Sequence, residues 1–558
     1  MAELSIWIAG EAGQGLVTAG QILSRSAVRA GLELHVQQDY MSRIRGGLNS
    51  WRMRCADAPI QGPSETVDLL MALSRDAGLT FSPHLTPSGR LFADSSFGFS
   101  GDAYTAIPLG DFGGMKNVGT VAVAMGAAAL GLSDETVSKA MALFFSGETL
   151  EMNRELYHRA ILWAREALPS VGFLFPEKPA PTLAINGNEA IALGAMAAGC
   201  NFVSYYPMTP ATSVVQNIIT HGKDSVHVAQ VEDEIAAINM ALGASYAGGR
   251  AMVATSGGGL ALMTEGISLA GITETPVVIV LAQRPGPATG LPTRTEQGDL
   301  DLVRFAGHGE FPRAILTPDT PSSCFELTHR AFDLAERFQS PVFIITDQYL
   351  ADSIRNTPPF DLYRIRPVSA PQTTPENEEA YLRYALNVEG GVSPRVVPGF
   401  SKALVVADSD EHTEAGHITE DHGIRVAMQT KRMKKEEGLK REAILPVWEG
   451  GETPDLLLIS WGSSSGACRG AAERLKAMGV TASTLHFVQV WPMDGVAVAS
   501  QFGRAVQCVV VESNSTGQFA RLLLEETGVK AHAQVLRFDG LPMSAEWIVD
   551  HLSKEGVI

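Results

Sequence analysis

Cysteine is scarce and dispersed: Cys55, Cys200, Cys324, Cys468 and Cys508 are the five in 558 residues, and no two form a Cys-x-x-Cys pair. That argues against a disulfide framework, a zinc ribbon or an iron–sulfur cluster held wholly by this chain, and it suits a reducing cytoplasm. Positive charge is also in deficit. The 43 Lys and Arg against 61 Asp and Glu leave a net charge of −18, so nucleic acid and anionic membrane surfaces are not the expected partners. No membrane span is expected either. The longest small-apolar stretch, residues 118–132, is too short and glycine-rich and reads as a buried helix. Met1-Ala2-Glu3 opens straight into a strand, with no basic leader or cleavage signal.

What is present is an α/β rhythm in a chain long enough for about three domains. A strand at residues 4–9 runs into Gly10-Glu11-Ala12-Gly13-Gln14-Gly15 and then a helix. Strand, glycine loop and helix N-terminus form an anion-binding mouth, with Gly10, Gly13 and Gly15 as candidates; the same glycines would also serve a tight turn. The spacing is not the dinucleotide fingerprint, although Glu33 sits at a suitable distance for one. Further on, Arg43 and Arg45 stand beside Gly46-Gly47 and Asn49. This is a carboxylate clamp or a solvated loop. The first domain is expected over residues 1–175, and the proline-rich 176–183 reads as a linker.

The second domain, 184–355, restarts the rhythm. Strands at 202–206, 226–230, 251–255, 276–281 and 341–346 predict a doubly wound, mostly parallel sheet with ligands at the strands' carboxyl ends. Thr209, Glu234, Ser256-Gly257-Gly258-Gly259 and Arg294 all fall just past such ends. Thr209 is held in Tyr206-Pro207-Met208-Thr209-Pro210, a loop stiffened by two prolines. Glu232-Asp233-Glu234 opens a strongly helical run. Glu234 shares its helical stripe with Ala237, Ile238, Ala241 and Leu242, a more apolar set than the one Glu232 joins. A carboxylate there is starved of water, the setting in which an acid can exchange a proton with a heterocycle nitrogen; the bland alternative is that these acids complement the helix N-terminus.

Residues 356–445 read as a connector. Its acidic and histidine-rich loop, 408–422, lacks the spacing of a metal site, and its basic helix, 431–441, reads as a solvated face. The third domain, 446–558, carries polar strand-end loops at 462–466 and 512–518.

Taken together, the Tyr206–Pro210 motif, the Glu234 helix and Thr255-Ser256-Gly257-Gly258-Gly259 resemble the pyrimidine-binding domain of thiamine-diphosphate enzymes. Among these, the match is to the 2-oxoacid:ferredoxin oxidoreductases. Gly10-x-x-Gly13-Gln14-Gly15 and Arg45-Gly46-Gly47 resemble that family's gamma subunit, here fused ahead of an alpha subunit. Leu291-Pro292-Thr293-Arg294-Thr295-Glu296-Gln297-Gly298-Asp299-Leu300 and the loop from Glu411 look like the 2-oxoglutarate type. Trp461-Gly462-Ser463 and Asn514-Ser515-Thr516-Gly517-Gln518 are similar to its transketolase-C-terminal-like domain.

The resemblance implies a reaction of 2-oxoglutarate, coenzyme A and oxidised ferredoxin giving succinyl-CoA, carbon dioxide and reduced ferredoxin, or the reverse. It implies that Glu234, or failing it Glu232, contacts N1′ of thiamine diphosphate, with Pro207, Ser256 and Gly257 around the cofactor. Thr209 and Arg294 would hold the oxoacid, and Arg43, Arg45 and Asn49 its distal carboxylate. The Gly10–Gly15 mouth is a candidate for coenzyme A. No Gly-Asp-Gly magnesium motif and no cysteine cluster is present. The diphosphate site, Mg²⁺ and a [4Fe-4S] cluster are therefore expected on a beta subunit, in an (alpha-beta)2 heterotetramer that reduces ferredoxin. The rivals are the same chemistry on pyruvate, branched-chain or indolyl oxoacids, a nicotinamide-binding protein, and a non-catalytic scaffold subunit.

Overall fold

The computed structural model describes residues 2–41, 47–168, 172–176, 179–369, 373–375 and 377–558. The chain forms two compact units. One comprises residues 1–186 with 352–359 and 544–546, and the other holds the rest.

The first unit is built on an eight-stranded mixed sheet. Its order is Tyr104–Ile107, Leu85–Asp94, Val67–Ala72, Glu3–Glu11, Leu48–Ala56, Glu33–Asp39, Ile354–Thr357 and Leu183–Ile185. Strand Glu3–Glu11 is apolar and buried along its length except at its two ends, as a central strand covered on both faces must be. It runs parallel to Val67–Ala72 and antiparallel to Leu48–Ala56. Two of the eight strands come from segments that read as linker and domain end. Leu183–Ile185 and Ile354–Thr357 pair with each other, and the latter pairs with Glu33–Asp39.

The second unit holds two sheets. The expected strands form a seven-stranded sheet in which Phe202–Tyr205, Ala251–Thr255, Val277–Gln283 and Pro341–Asp347 are all parallel. Ala314–Leu316, too short to stand out in the sequence, extends it, and Gln489–Trp491 closes that edge antiparallel. A five-stranded sheet is centred on Leu456–Trp461. The two sheets share one hydrophobic core, in which Ile238 and Leu281 belong to the same cluster as Trp461 and Phe519. The α/β class and the mostly parallel second sheet are as expected. Among the described residues, no helix is long and apolar enough to cross a membrane.

One expectation is overturned. The basic helix is not a solvated face: within His422–Arg441, Lys431, Arg432 and Lys435 are at most 2% exposed. Lys431 Nζ lies 2.6 Å from Glu274 Oε1, and Lys435 pairs with the same carboxylate. Burial alone would raise the Glu274 carboxyl, but the two ammoniums outweigh it and hold the group down at about 2. Arg432 pairs with Glu411 of the acidic loop at 2.6 Å. The counter-ions are distant in sequence, so helical spacing gives no hint of them. The loop itself is structural. Glu411 binds Arg425 and Arg432, His412 packs 4.1 Å from the Tyr384 ring, and Asp421 caps the helix through Ile424 N.

Glu274→Gln should therefore leave two buried ammoniums without a counter-ion and cost about 3–5 kcal/mol in urea unfolding. An unchanged transition would show that the cluster is dispensable.

Candidate active site

The site is organised by the turn that follows strand Ala251–Thr255. Ser256 stands at the N-cap position of helix Gly257–Leu262 without a side-chain cap, and the three glycines each face a different neighbour. A Cβ on Gly257 would lie 2.5 Å from Asp299 Oδ2, and one on Gly258 would meet Met208 Cε at 4.0 Å. A Cβ on Gly259 would lie 2.6 Å from Glu234 Oε1 and closer still to Thr255 Oγ1. Glu234 is thus seated where only a glycine leaves room.

The three acids before the helix have three roles. Asp233 is the N-cap of Glu234–Tyr246, accepting a hydrogen bond from Ala236 N at 2.8 Å. Glu232 is exposed. Glu234 is 4% exposed, on the apolar stripe with Ala237, Ile238, Ala241 and Leu242, all buried. The capping expected of the cluster falls to Asp233 alone, which leaves Glu234 unused by the backbone. Ser256 Oγ is buried and accepts or donates no hydrogen bond among the described residues.

Thr209 is exposed on the loop after strand Phe202–Tyr205. Its carbonyl accepts from Arg284 Nη1 at 2.8 Å, and the Pro210 carbonyl accepts from Asn188 Nδ2 at 2.9 Å. Arg284 was not picked out by sequence, although it follows strand Val277–Gln283 directly and the strand-end rule reaches it.

Arg294 lies half-buried in a strap, residues 291–299, whose two acids carry perturbed carboxyls. Burial pushes Asp299 up to about 6, against the pull of Arg284, and Asp299 Oδ2 has no hydrogen-bond partner among the described residues. Burial, reinforced by the negative charge of Asp299, pushes Glu296 up to about 7. Both acids stand in the run that singled out Arg294, yet nothing in their local spacing distinguishes them from solvated acids.

In the first unit, Gly15 adopts φ 75°, open to a residue without a side chain, and starts helix Leu16–Arg29. A cavity of about 500 Å³ adjoins this loop, lined by Gly13, Gln14, Gly15 and Thr18 and by Lys116, Asn117, Thr120 and Asn153. Lys116 went unnoticed because it precedes the apolar helix Val118–Leu130 without any motif of its own. Asn49 pairs with Gly10 across the sheet and accepts from Met41 N at 3.2 Å. Arg43 and Arg45 lie outside the described residues.

Known proteins resemble this chain in sequence and in fold. A family profile described as pyruvate flavodoxin/ferredoxin oxidoreductase, thiamine diphosphate-binding, matches residues 193–431, and one described as pyruvate ferredoxin/flavodoxin oxidoreductase matches residues 5–163. The chain is 30% identical to 2-oxoacid:ferredoxin oxidoreductase 2, subunit alpha, of Aeropyrum pernix, over 97% of this chain and 96% of that one. It is 32% identical to the 2-oxoglutarate synthase subunit KorA of Methanothermobacter marburgensis, over 59% of this chain and 87% of that one. Among solved structures, the 2-oxoglutarate:ferredoxin oxidoreductase from Magnetococcus marinus, with 2-oxoglutarate, coenzyme A and succinyl-CoA bound, superposes with a TM-score of 0.93. It shares 30% identity, and each chain is covered in full.

The raised carboxyl of Glu296 makes a pH prediction. A folded-state value above the unfolded one means stability that is present below the ordinary glutamate value and lost as pH rises through about 7. Glu296→Gln should accordingly raise the melting temperature more at pH 8 than at pH 5. The same offset at both pH values would contradict a half-buried, proton-holding Glu296.

Proposed function

Because this chain belongs to the alpha subunits of the 2-oxoacid:ferredoxin oxidoreductases, we propose that it is the fused gamma–alpha subunit of a 2-oxoglutarate-specific member. The enzyme would interconvert 2-oxoglutarate, coenzyme A and oxidised ferredoxin with succinyl-CoA, carbon dioxide and reduced ferredoxin. The observation that carries this reading is the convergence on one glycine turn. Glu234 packs against Gly259 and the Arg294 strap against Gly257 through Asp299, and Met208 of the Thr209 loop lies 4.0 Å from where a Cβ on Gly258 would stand.

The residues fit the pyrimidine half of thiamine diphosphate. Glu234 is buried, Gly259 leaves its carboxylate room, and the orphaned Ser256 Oγ offers a hydrogen bond. When bound, the cofactor supplies the electron sink against which the bond to the departing carbon dioxide can break. Glu234 would hold and move a proton at N1′, with the exposed Glu232 as the weaker alternative. Pro207 and Gly257 would border the ring. Thr209 Oγ1 would hydrogen-bond the oxoacid, and Arg294 would pair with its carboxylate, a charge-assisted contact strengthened as water is excluded. A role for Arg43, Arg45 and Asn49 at the distal carboxylate rests on the resemblance alone. The Gly10–Gly15 mouth, with Lys116 in the adjoining cavity, would seat the phosphates of coenzyme A.

The rest of the chemistry falls to a beta subunit holding the diphosphate, Mg²⁺ and the [4Fe-4S] cluster, assembled as an (alpha-beta)2 heterotetramer in the cytoplasm. In support, the sequence contains no Gly-Asp-Gly motif, and all five thiols are buried and dispersed.

Purified alone, the chain should release no carbon dioxide from 2-oxoglutarate; turnover without a second polypeptide would sink the split site. In the assembled enzyme, Glu234→Gln should lower kcat by about 100-fold or more, the scale of lost acid–base catalysis. Unchanged turnover would favour the scaffold reading. Arg45→Ala should reduce the rate with 2-oxoglutarate and spare that with pyruvate. Equal rates before and after would move the assignment to pyruvate, branched-chain or indolyl substrates.

A further inference from the structure

The polar loops at the strand ends of the C-terminal region have no part in the chemistry above, yet they converge on one side chain of the Arg294 strap. Gln297 is 1% exposed, and every polar group it has is engaged. Its backbone N donates to the Ser513 carbonyl at 2.6 Å, and its carbonyl accepts from Asn514 Nδ2 at 3.1 Å. Its Nε2 donates to the Trp461 carbonyl at 2.9 Å. Its Oε1 accepts from Ser464 Oγ at 3.0 Å and from Ser513 N at 2.9 Å. The strap is held on either side of this residue as well. Thr295 N donates to the Gly540 carbonyl at 3.2 Å, Gln518 Nε2 donates to the Gly298 carbonyl at 2.7 Å, and Asp299 N donates to Gln283 Oε1 at 2.9 Å.

The pattern along the strap follows from these anchors. Thr295 and Gln297 are buried, while Arg294 and Glu296 are not. The residues held by these anchors are the buried ones, and Arg294 and Glu296 beside them stay in reach of solvent. Because both ends of the Gln297 amide are satisfied, the strap can neither slide nor rotate without leaving buried polar groups unpaired.

We propose that Gln297 is a positioning residue. Through it, the loops around Trp461–Ser464 and Ser513–Gln518 serve as a brace that fixes the Arg294 guanidinium for the oxoacid, and they bind no ligand of their own. This rests on the reading of Arg294 as the partner of the substrate carboxylate.

A double-mutant cycle in the assembled enzyme tests it. Gln297→Ala should raise the KM for 2-oxoglutarate by about 10-fold with a much smaller change in kcat, since a side chain misplaced by about 1 Å loses its contact. In an Arg294→Ala background the same change should move KM by less than about 2-fold, because the two act as one unit. An equal KM effect in both backgrounds, or a fall in stability with KM unchanged, overturns the brace. Should Gln297→Ala fail to fold, Ser464→Ala removes one of the two hydrogen bonds to Oε1. It should give a smaller KM rise of about 2–3-fold that vanishes in the Arg294→Ala background, and an unaltered KM is again fatal. Wild-type turnover with the partner subunit judges the activity separately: an active wild type without coupling rejects the brace alone, and an inactive one rejects both.

Discussion

The candidate site depends on the absence of side chains at Gly257 and Gly259. At Gly257 and Gly259 a single methyl group would collide with the carboxylates of Asp299 and Glu234, while at Gly258 it would make only an ordinary contact with Met208. Glycine in a helix's first turn sacrifices conformational entropy. Here that loss is offset by the packing it permits. A buried carboxylate, a stiff proline-framed loop and an acidic strap are all held against one short stretch of backbone. A glutamate at 4% exposure is unusual without a paired cation, and its position becomes intelligible only because Asp233 takes over the helix cap.

Around that turn the second unit is stiffened by buried polar groups with fully formed partnerships. Glu274 between Lys431 and Lys435 fastens the helix His422–Arg441, and Arg383 Nη2 donates to the Glu274 carbonyl at 2.8 Å. Asp319 accepts hydrogen bonds from Ser323 Oγ and Ser465 Oγ, each at 2.8 Å, and so ties the seven-stranded sheet to the C-terminal region. Gln297 does the same closer to the site. Such networks resist partial opening, because any displacement leaves several buried groups unpaired at once. A rigid frame of this kind suits the roles proposed for Glu234 and Arg294, which need both side chains aligned in advance.

The contrast within the strap is informative. Thr295 and Gln297 are satisfied by protein, whereas Asp299 Oδ2 and Ser256 Oγ have no partner among the described residues. Native proteins leave few buried polar atoms without partners, and Ser256 Oγ and Asp299 Oδ2 are two of those among the described residues. Loss of water raises the carboxyls of both Asp299 and Glu296; the charge of Asp299 adds to it at Glu296, whereas Arg284 opposes it at Asp299.

The sequence by itself determined what depends on near neighbours. Strand and helix periodicity located the parallel sheet. Two prolines marked the Thr209 loop, the stripe of Ala237, Ile238, Ala241 and Leu242 marked Glu234 as the acid facing inward, and the glycine runs marked both turns. These signals are local because main-chain stiffness and side-chain direction are set within a few residues. Only the tertiary structure decided which groups meet across long separations. The basic helix looked solvated until Glu274 and Glu411 were brought beneath it, and short segments such as Leu183–Ile185 and Ile354–Thr357 became strands by pairing in a distant sheet. Gln297 looked like one polar residue in a motif until two remote strand ends closed around it. Burial and hydrogen-bond satisfaction are properties of the assembled fold, so a charge or an amide takes its meaning from neighbours that its own stretch of sequence does not contain.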